Sequence, residues 1–447
     1  MSYIPHTDAE RQQMLSAIGV TTIEDLFEAV PAGHRFPSLN LPEAMSEMEV
    51  MAELLAFAEA NEHSQDFVTF RGAGAYHHFI PSVVNHIISR GEFYTAYTPY
   101  QPELSQGTLQ VIYEYQSMMC ALLGMEAANA SHYDGATSLA ESVTVALEVT
   151  RHKRNKIILS HSIHPQYREV VRTYHQGNPT LRFVGDRGRA DIPDLIDMLD
   201  DNTAMLAIAY PNFFGQIDDL KHLADKAHAV GALLVMVVNP LAMGMLKSPG
   251  ELGADIVVGE GQSLGIPMSY GGPYLGFFAT RQQYVRKIAG RIVGETVDIT
   301  GKRGFTMTLR PREQDIRREK ATSNICTNQG LMSVATAVYL SVMGKAGMKQ
   351  VASLNYHKAH YAAQQINQLD AYEVDMSKPF FNEFMVKCPA SVQQINNQLL
   401  NEGIIGGIDL GEYYEHLRGV MLLAVTEMNT RDEIDGLVSA LEQIAKE

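Results

Sequence analysis

Apolar residues recur at helical spacing over residues 8–18 and again over 43–60, where Met48, Met51, Leu54, Leu55 and Phe57 fall near one face. Thr21 and Glu24 have capping-box spacing and predict a short helix between these two. Together they predict an N-terminal helical arm over 1–62, which either wraps a partner or forms a local layer. From about 155 to 280 the pattern changes. Short apolar runs at 156–160, 181–184, 205–209, 233–238, 255–258 and 276–279 alternate with helical stretches such as 216–230. Near-continuous apolar strands imply burial on both faces, hence a parallel sheet in a large α/β domain over 63–325. A helix at 103–123 precedes this sheet. A helix at 328–343, a strand at 381–388, a helix at 391–401, a strand at 419–426 and a helix at 432–444 predict a smaller α+β domain over 326–447.

Composition narrows the class. The chain has 447 residues, 46% hydrophobic and 19% charged, with a net charge of -16. That excludes a disordered chain and argues against a nucleic-acid binder, which needs a basic face. Cys120, Cys326 and Cys388 sit at neither metal nor redox spacing, so a reducing compartment is expected. The opening MSYIPHTDAERQQ lacks the basic and apolar regions of a signal peptide. The longest apolar stretch, near 231–246, is interrupted by Asn239 and Pro240 and is too short for a membrane span. The expectation is a cytoplasmic chain without membrane or nucleic-acid partners.

Several chemistries lack their motifs: there is no GxxxxGK[ST] loop, no HExxH and no G-x-S-x-G elbow. His161 with His164, and His77 with His78, have no thiolate or carboxylate cluster beside them, so no metal is expected. Three segments remain. In YDGATS, the N–H groups of Gly135, Ala136, Thr137 and Ser138 open a helix and can form an anion nest, or Asp134 and Thr137 simply cap it. The glycine-rich run 259–278 follows a predicted strand, where α/β sheets place ligands. Arg310, Arg312, Arg317, Arg318 and Lys320 gather beside Glu313, Asp315 and Glu319, as either an ion-pair network or a docking site for an acidic partner.

The phrases TAYTPYQPELSQG (95–107), NASHYDGATSLAE (129–141), GQSLGIPMSYGGPYLGFFA (261–279) and REQDIRREKATSNICTNQ (312–329) resemble the glycine decarboxylase (P-protein) family of the glycine cleavage system, most closely the alpha chains, or subunit 1, of its two-chain bacterial form. The resemblance covers essentially the whole chain. It implies the aspartate-aminotransferase-like fold, type I among pyridoxal-phosphate-dependent transferases, with a large mixed or parallel-sheet domain and a small α+β domain. It also implies a part in an oxidoreductase complex of glycine catabolism. In that family glycine joins pyridoxal phosphate, loses its carboxylate as CO2, and passes its aminomethyl group to the oxidised lipoyl arm of the H-protein. The cofactor is the electron sink.

The departures from the family's catalytic chains carry the reading further. Gln262 stands where the cofactor-holding lysine would be, and Asn239 where an aspartate would pair the pyridine nitrogen. An amide does neither job, so no covalently bound cofactor is expected here. The resemblance then implies that pyridoxal phosphate is held by the partner, subunit 2, in a heterotetramer of two alpha and two beta chains. Tyr97, Tyr100, Gln101 and Glu103, on a proline-stiffened segment, are candidates to reach the partner's site. The alternatives are a self-sufficient pyridoxal-phosphate enzyme of the aminotransferase or desulfurase kind, and a purely structural scaffold subunit.

Overall fold

Every residue of the strand Thr203–Tyr210 is buried, and its alternate side chains feed two different cores. Leu206 and Ile208 point to one face; Met205 and Ala207 point to the other, as the two-residue period of a strand requires. In this computed structural model, which describes residues 6–64 and 66–446, that strand lies within a seven-stranded sheet. Its strands are β1 (Ala127–Ala128), β2 (Lys156–Leu159), β3 (Arg182–Val184), β4 (Thr203–Tyr210), β5 (Leu233–Val238), β6 (Ile256–Glu260) and β7 (Gly276–Thr280), in the spatial order β1-β7-β6-β5-β4-β2-β3. The pairs from β3 through β6 are parallel, while β7 runs antiparallel to both of its neighbours. The six predicted strands are therefore present within a residue or two, and the sheet is mixed.

Helices cover both faces. Met119 and Leu123, from the helix Gln106–Leu123, pack with Leu234, Met236 and Val257. Leu139, Val143 and Ala146, from the helix Gly135–Val149, pack with Leu233, Val235 and Val258 on the opposite face. This layering leaves the carboxyl ends of β4, β5 and β6 side by side, carrying Tyr210, Val238 and Glu260.

A hairpin of β8 (Ile292–Val297) and β9 (Arg303–Thr308) follows, which the sequence pattern did not reveal. The helix expected at 328–343 runs on to Ile366. Gly344, at φ 54°, reads as a stop in sequence, but the helix resumes beyond it. This is also a segment long and apolar enough, by length and composition alone, to cross a membrane, which the sequence reading missed. Its inward residues pack into protein: Tyr339 and Ala352 into the main core, Ala359 and Ala363 into the smaller one. The predicted helix 216–230 is shorter, Leu223–Ala229. Asp219 accepts the Lys221 N–H in a local turn, and His222 is left-handed at φ 66°, so the earlier residues cannot be helical.

A second sheet of four antiparallel strands has the order β10-β11-β13-β12, from β10 (Glu373–Val374), β11 (Glu383–Lys387), β12 (Ile408–Asp409) and β13 (Val420–Ala424). The helices Val392–Asn401 and Arg431–Ile444 bury Ile395, Leu399, Leu437 and Leu441 against it.

The chain divides into two compact units, 1–62 and 63–447. The first contains the helices Asp8–Ile18 and Glu47–Glu59, each closed by a capping box, Thr7 with Glu10 and Ser46 with Glu49. No capping box forms between Thr21 and Glu24. The reciprocal bonds shift by one residue, Thr22 with Asp25, and start a 3-10 turn, Glu24–Phe27. Met48, Leu54, Leu55 and Phe57 are all more than half exposed. The basic and apolar regions looked for in the opening segment fall partly on residues 1–5, outside the described residues.

Candidate functional site

A cavity of ≈ 80 Å³ opens where β4, β5 and β6 end. Asn239, Glu260, Ser263, Glu383, Asn382 and His164 are among the residues that line it. It sits where open α/β sheets place their ligands; Asn239 lines it, and Gln262 lies in the loop just after β6, between the lining residues Glu260 and Ser263.

Gln262 is 2% exposed and fully engaged. Its Oε1 accepts from the Tyr76 N–H at 2.9 Å, and its Nε2 donates to the carbonyls of Tyr76 and Ile266 at 3.1 and 2.7 Å. It pins the segment around Tyr76 to the loop after β6. Asn239 accepts the Leu241 N–H at 3.0 Å and caps its own turn.

The Gly135–Ser138 nest is filled from within. Asp134 accepts the Thr137 N–H at 2.7 Å, and the Thr137 and Ser138 hydroxyls both donate back to the Asp134 carbonyl. The Gly135 N–H donates to Glu260 Oε2 at 3.0 Å. A Cβ at position 135 would meet the Tyr167 hydroxyl at 2.5 Å, so only glycine allows this approach. The other Glu260 oxygen accepts the N–H groups of Gln262 and Leu275 at 3.1 and 2.9 Å. Burial pushes the Glu260 carboxyl up to about 7 despite these bonds.

Glu383 is the second buried acid. It accepts the Ala73 N–H at 2.6 Å and the Tyr76 hydroxyl at 2.9 Å, and burial raises it to about 7. His164 Nε2 donates to the Ala73 carbonyl at 2.9 Å, and the ring stacks on Tyr167 with ring centroids 5.0 Å apart. Burial lowers its pKa to about 4, so it is neutral. Glu260, Glu383 and Tyr167 were not singled out in the sequence. A lone Glu in the apolar strand FNEFMV was the one available signal.

The residues present do not fit pyridoxal phosphate. Its phosphate would need the Gly135 N–H, which the Glu260 carboxylate holds, and two buried acids would oppose its charge. The cavity is also smaller than the roughly 300–1,000 Å³ usual for such ligands.

The other candidate segments meet on the surface. Tyr100 has the Arg291 guanidinium 5.9 Å and the Arg310 guanidinium 5.3 Å from its ring centroid. This joins the 94–104 loop to the arginine-rich segment. Tyr97 is 75% exposed, and Gln101 and Glu103 are also exposed. Arg310 pairs with Asp315 at 2.8 Å. Arg312 faces inward, held by the carbonyls of Leu309, Ile288 and Gly290 and by Glu313. Arg317, Arg318 and Lys320 are exposed, with no ion pair among the described residues.

This arrangement, a mixed sheet with helices on both faces and a small sheet domain beside it, defines a type I fold of the pyridoxal-phosphate-dependent transferases. A sphingosine-1-phosphate lyase of Burkholderia pseudomallei shares the fold, with a TM-score of 0.65 at 17% identity over 93% of this chain and 94% of that one. A crystal structure of the glycine decarboxylase (P-protein) of the glycine cleavage system, in inhibitor-bound form, matches at a TM-score of 0.89 and 40% identity, covering 99% of this chain and 100% of that one. Residues 1–441 match the model of the glycine cleavage system P-protein family. Proteins named "Probable glycine dehydrogenase (decarboxylating) subunit 1" from Thermomicrobium roseum and Desulforamulus reducens are 54% and 52% identical; the first match covers 99% of both chains and the second 100% of both. The chain belongs to the glycine cleavage system P-protein family.

Proposed function

We propose that this chain is subunit 1 of a two-chain glycine decarboxylase. With subunit 2 it converts glycine and the oxidised lipoyl H-protein to CO2 and the aminomethyl-dihydrolipoyl carrier. The observation that carries the division of labour is the site itself: a locked Gln262, with Glu260 seated on Gly135. Pyridoxal phosphate is then held by subunit 2, where it supplies the electron sink for decarboxylation. The complex is a cytoplasmic heterotetramer.

This chain's own part is positioning. Tyr97, Gln101 and Glu103 offer hydroxyl, amide and carboxylate groups on a loop stiffened by Pro99 and Pro102 and braced through Tyr100. From the partner's side they orient glycine or the lipoyl arm. Arg310, Arg317, Arg318 and Lys320 form the docking face for an acidic carrier, while Arg312 braces that face from within. The arm 1–62 covers subunit 2 with its exposed apolar helix face, the large domain spans 63–325 and the small one 326–447.

The test is glycine–CO2 exchange by each purified chain and by the two together. Exchange only in the reconstituted complex is expected. Exchange by this chain alone, or a borohydride-sensitive visible band in it, overturns the proposal.

A further inference from the structure

The cavity at the carboxyl ends of β4, β5 and β6 has polar groups that the protein leaves unanswered. Ser263 Oγ and Asn382 Nδ2 have no hydrogen-bond partner among the described residues, in residues only 3% and 2% exposed, and both residues line the cavity. Buried donors without acceptors are costly and rare. Glu260 and Glu383 line the same space, and among the described residues no lysine or arginine does.

Those acids retain accepting capacity. A carboxylate accepts about four hydrogen bonds. Glu260 receives three, from the N–H groups of Gly135, Gln262 and Leu275. Glu383 receives two, from the Ala73 N–H and the Tyr76 hydroxyl. About three acceptor positions remain, as many as one ammonium group has donors. Water can fill hydrogen bonds but brings no counter-charge, whereas an ammonium group would also favour the charged form of both carboxyls. The ≈ 80 Å³ of the cavity gives room for roughly five groups of water size, at about 10–15 Å³ each.

We propose that this cavity binds a small zwitterion, its ammonium against Glu260 and Glu383 and its carboxylate taking hydrogen bonds from Ser263 and Asn382. Glycine, with ammonium and carboxylate on one carbon, is the smallest amino acid of this class. The site needs no cofactor, and occupancy stabilises the folded chain by mass action. The inference rests on the reading that this chain holds no pyridoxal phosphate.

The experiment is calorimetric titration of the full-length chain with glycine, methylamine and acetate, on wild type, Ser263→Ala and Glu383→Gln, with circular dichroism to verify folding. Saturable glycine binding is expected, with methylamine and acetate at least tenfold weaker. Ser263→Ala should weaken glycine at least fivefold, and Glu383→Gln at least tenfold. A folded chain that ignores glycine, binds acetate equally well, or binds glycine unchanged after Ser263→Ala overturns the inference. That last arm stands even if Glu383→Gln fails to fold. A borohydride-sensitive band in the wild-type sample overturns the cofactor reading and this inference together. A colourless chain that ignores glycine overturns this one alone.

Discussion

Single side chains decide what this fold can do here. Gln262 is the visible departure, but Glu260 is the more decisive side chain, because it occupies the N–H of Gly135. Gln262→Lys alone should therefore fail to give a borohydride-sensitive band on incubation with pyridoxal phosphate; such a band would show that the cradle is open. Glu141 makes a different prediction. It is buried, its Oε1 accepts from the Ser323 hydroxyl at 2.6 Å, its Oε2 has no partner, and burial lifts its carboxyl to about 7 from 4.5. Between those two values the folded chain holds a proton that the unfolded chain has released, so stability falls as pH rises through this window. Glu141→Gln removes that penalty. Its unfolding free energy from denaturant titration should match wild type near pH 4.5 and exceed it at pH 8, by up to about 3 kcal/mol at 1.36 kcal/mol per pKa unit. Equal free energies at pH 8 would refute this.

Among the elements, the interface roles proposed above fall to the arm and the 94–104 loop. Leu54 and Phe57 are 58% and 63% exposed on the helix Glu47–Glu59. Leu54→Asp with Phe57→Asp should leave this chain folded and weaken its association with subunit 2 at least tenfold in sedimentation; unchanged association would remove the arm from the interface. Tyr97→Phe and Glu103→Gln should each lower turnover of the assembled complex at least tenfold while assembly stays intact. Unchanged turnover would reduce the loop to a scaffold. The strands at the sheet's centre were legible because their residues are apolar on both faces, as in LLVMVV at 233–238. The helix beyond Gly344 was not, because its continuation is set by packing against two cores rather than by local preference. The site was half legible: Asn239 and Gln262 stand out beside family phrases. The contacts Gly135–Glu260 and Ala73–Glu383 join residues 125 and 310 apart, and no local pattern announces them.

At the scale of the molecule, the position where this fold places its ligands is narrowed by the chain's own side chains. A buried amide and a buried acid replace a covalent anchor and a phosphate. What is left is a small acid-lined cavity and a surface where a tyrosine loop meets an arginine segment. On the proposed function the chemistry belongs to the assembly. The most direct measurement is to reduce the reconstituted, active complex with borohydride and weigh each chain by mass spectrometry. The phosphopyridoxyl adduct is expected on subunit 2, with an unchanged mass for this chain; an adduct on this chain would contradict the proposed division of labour.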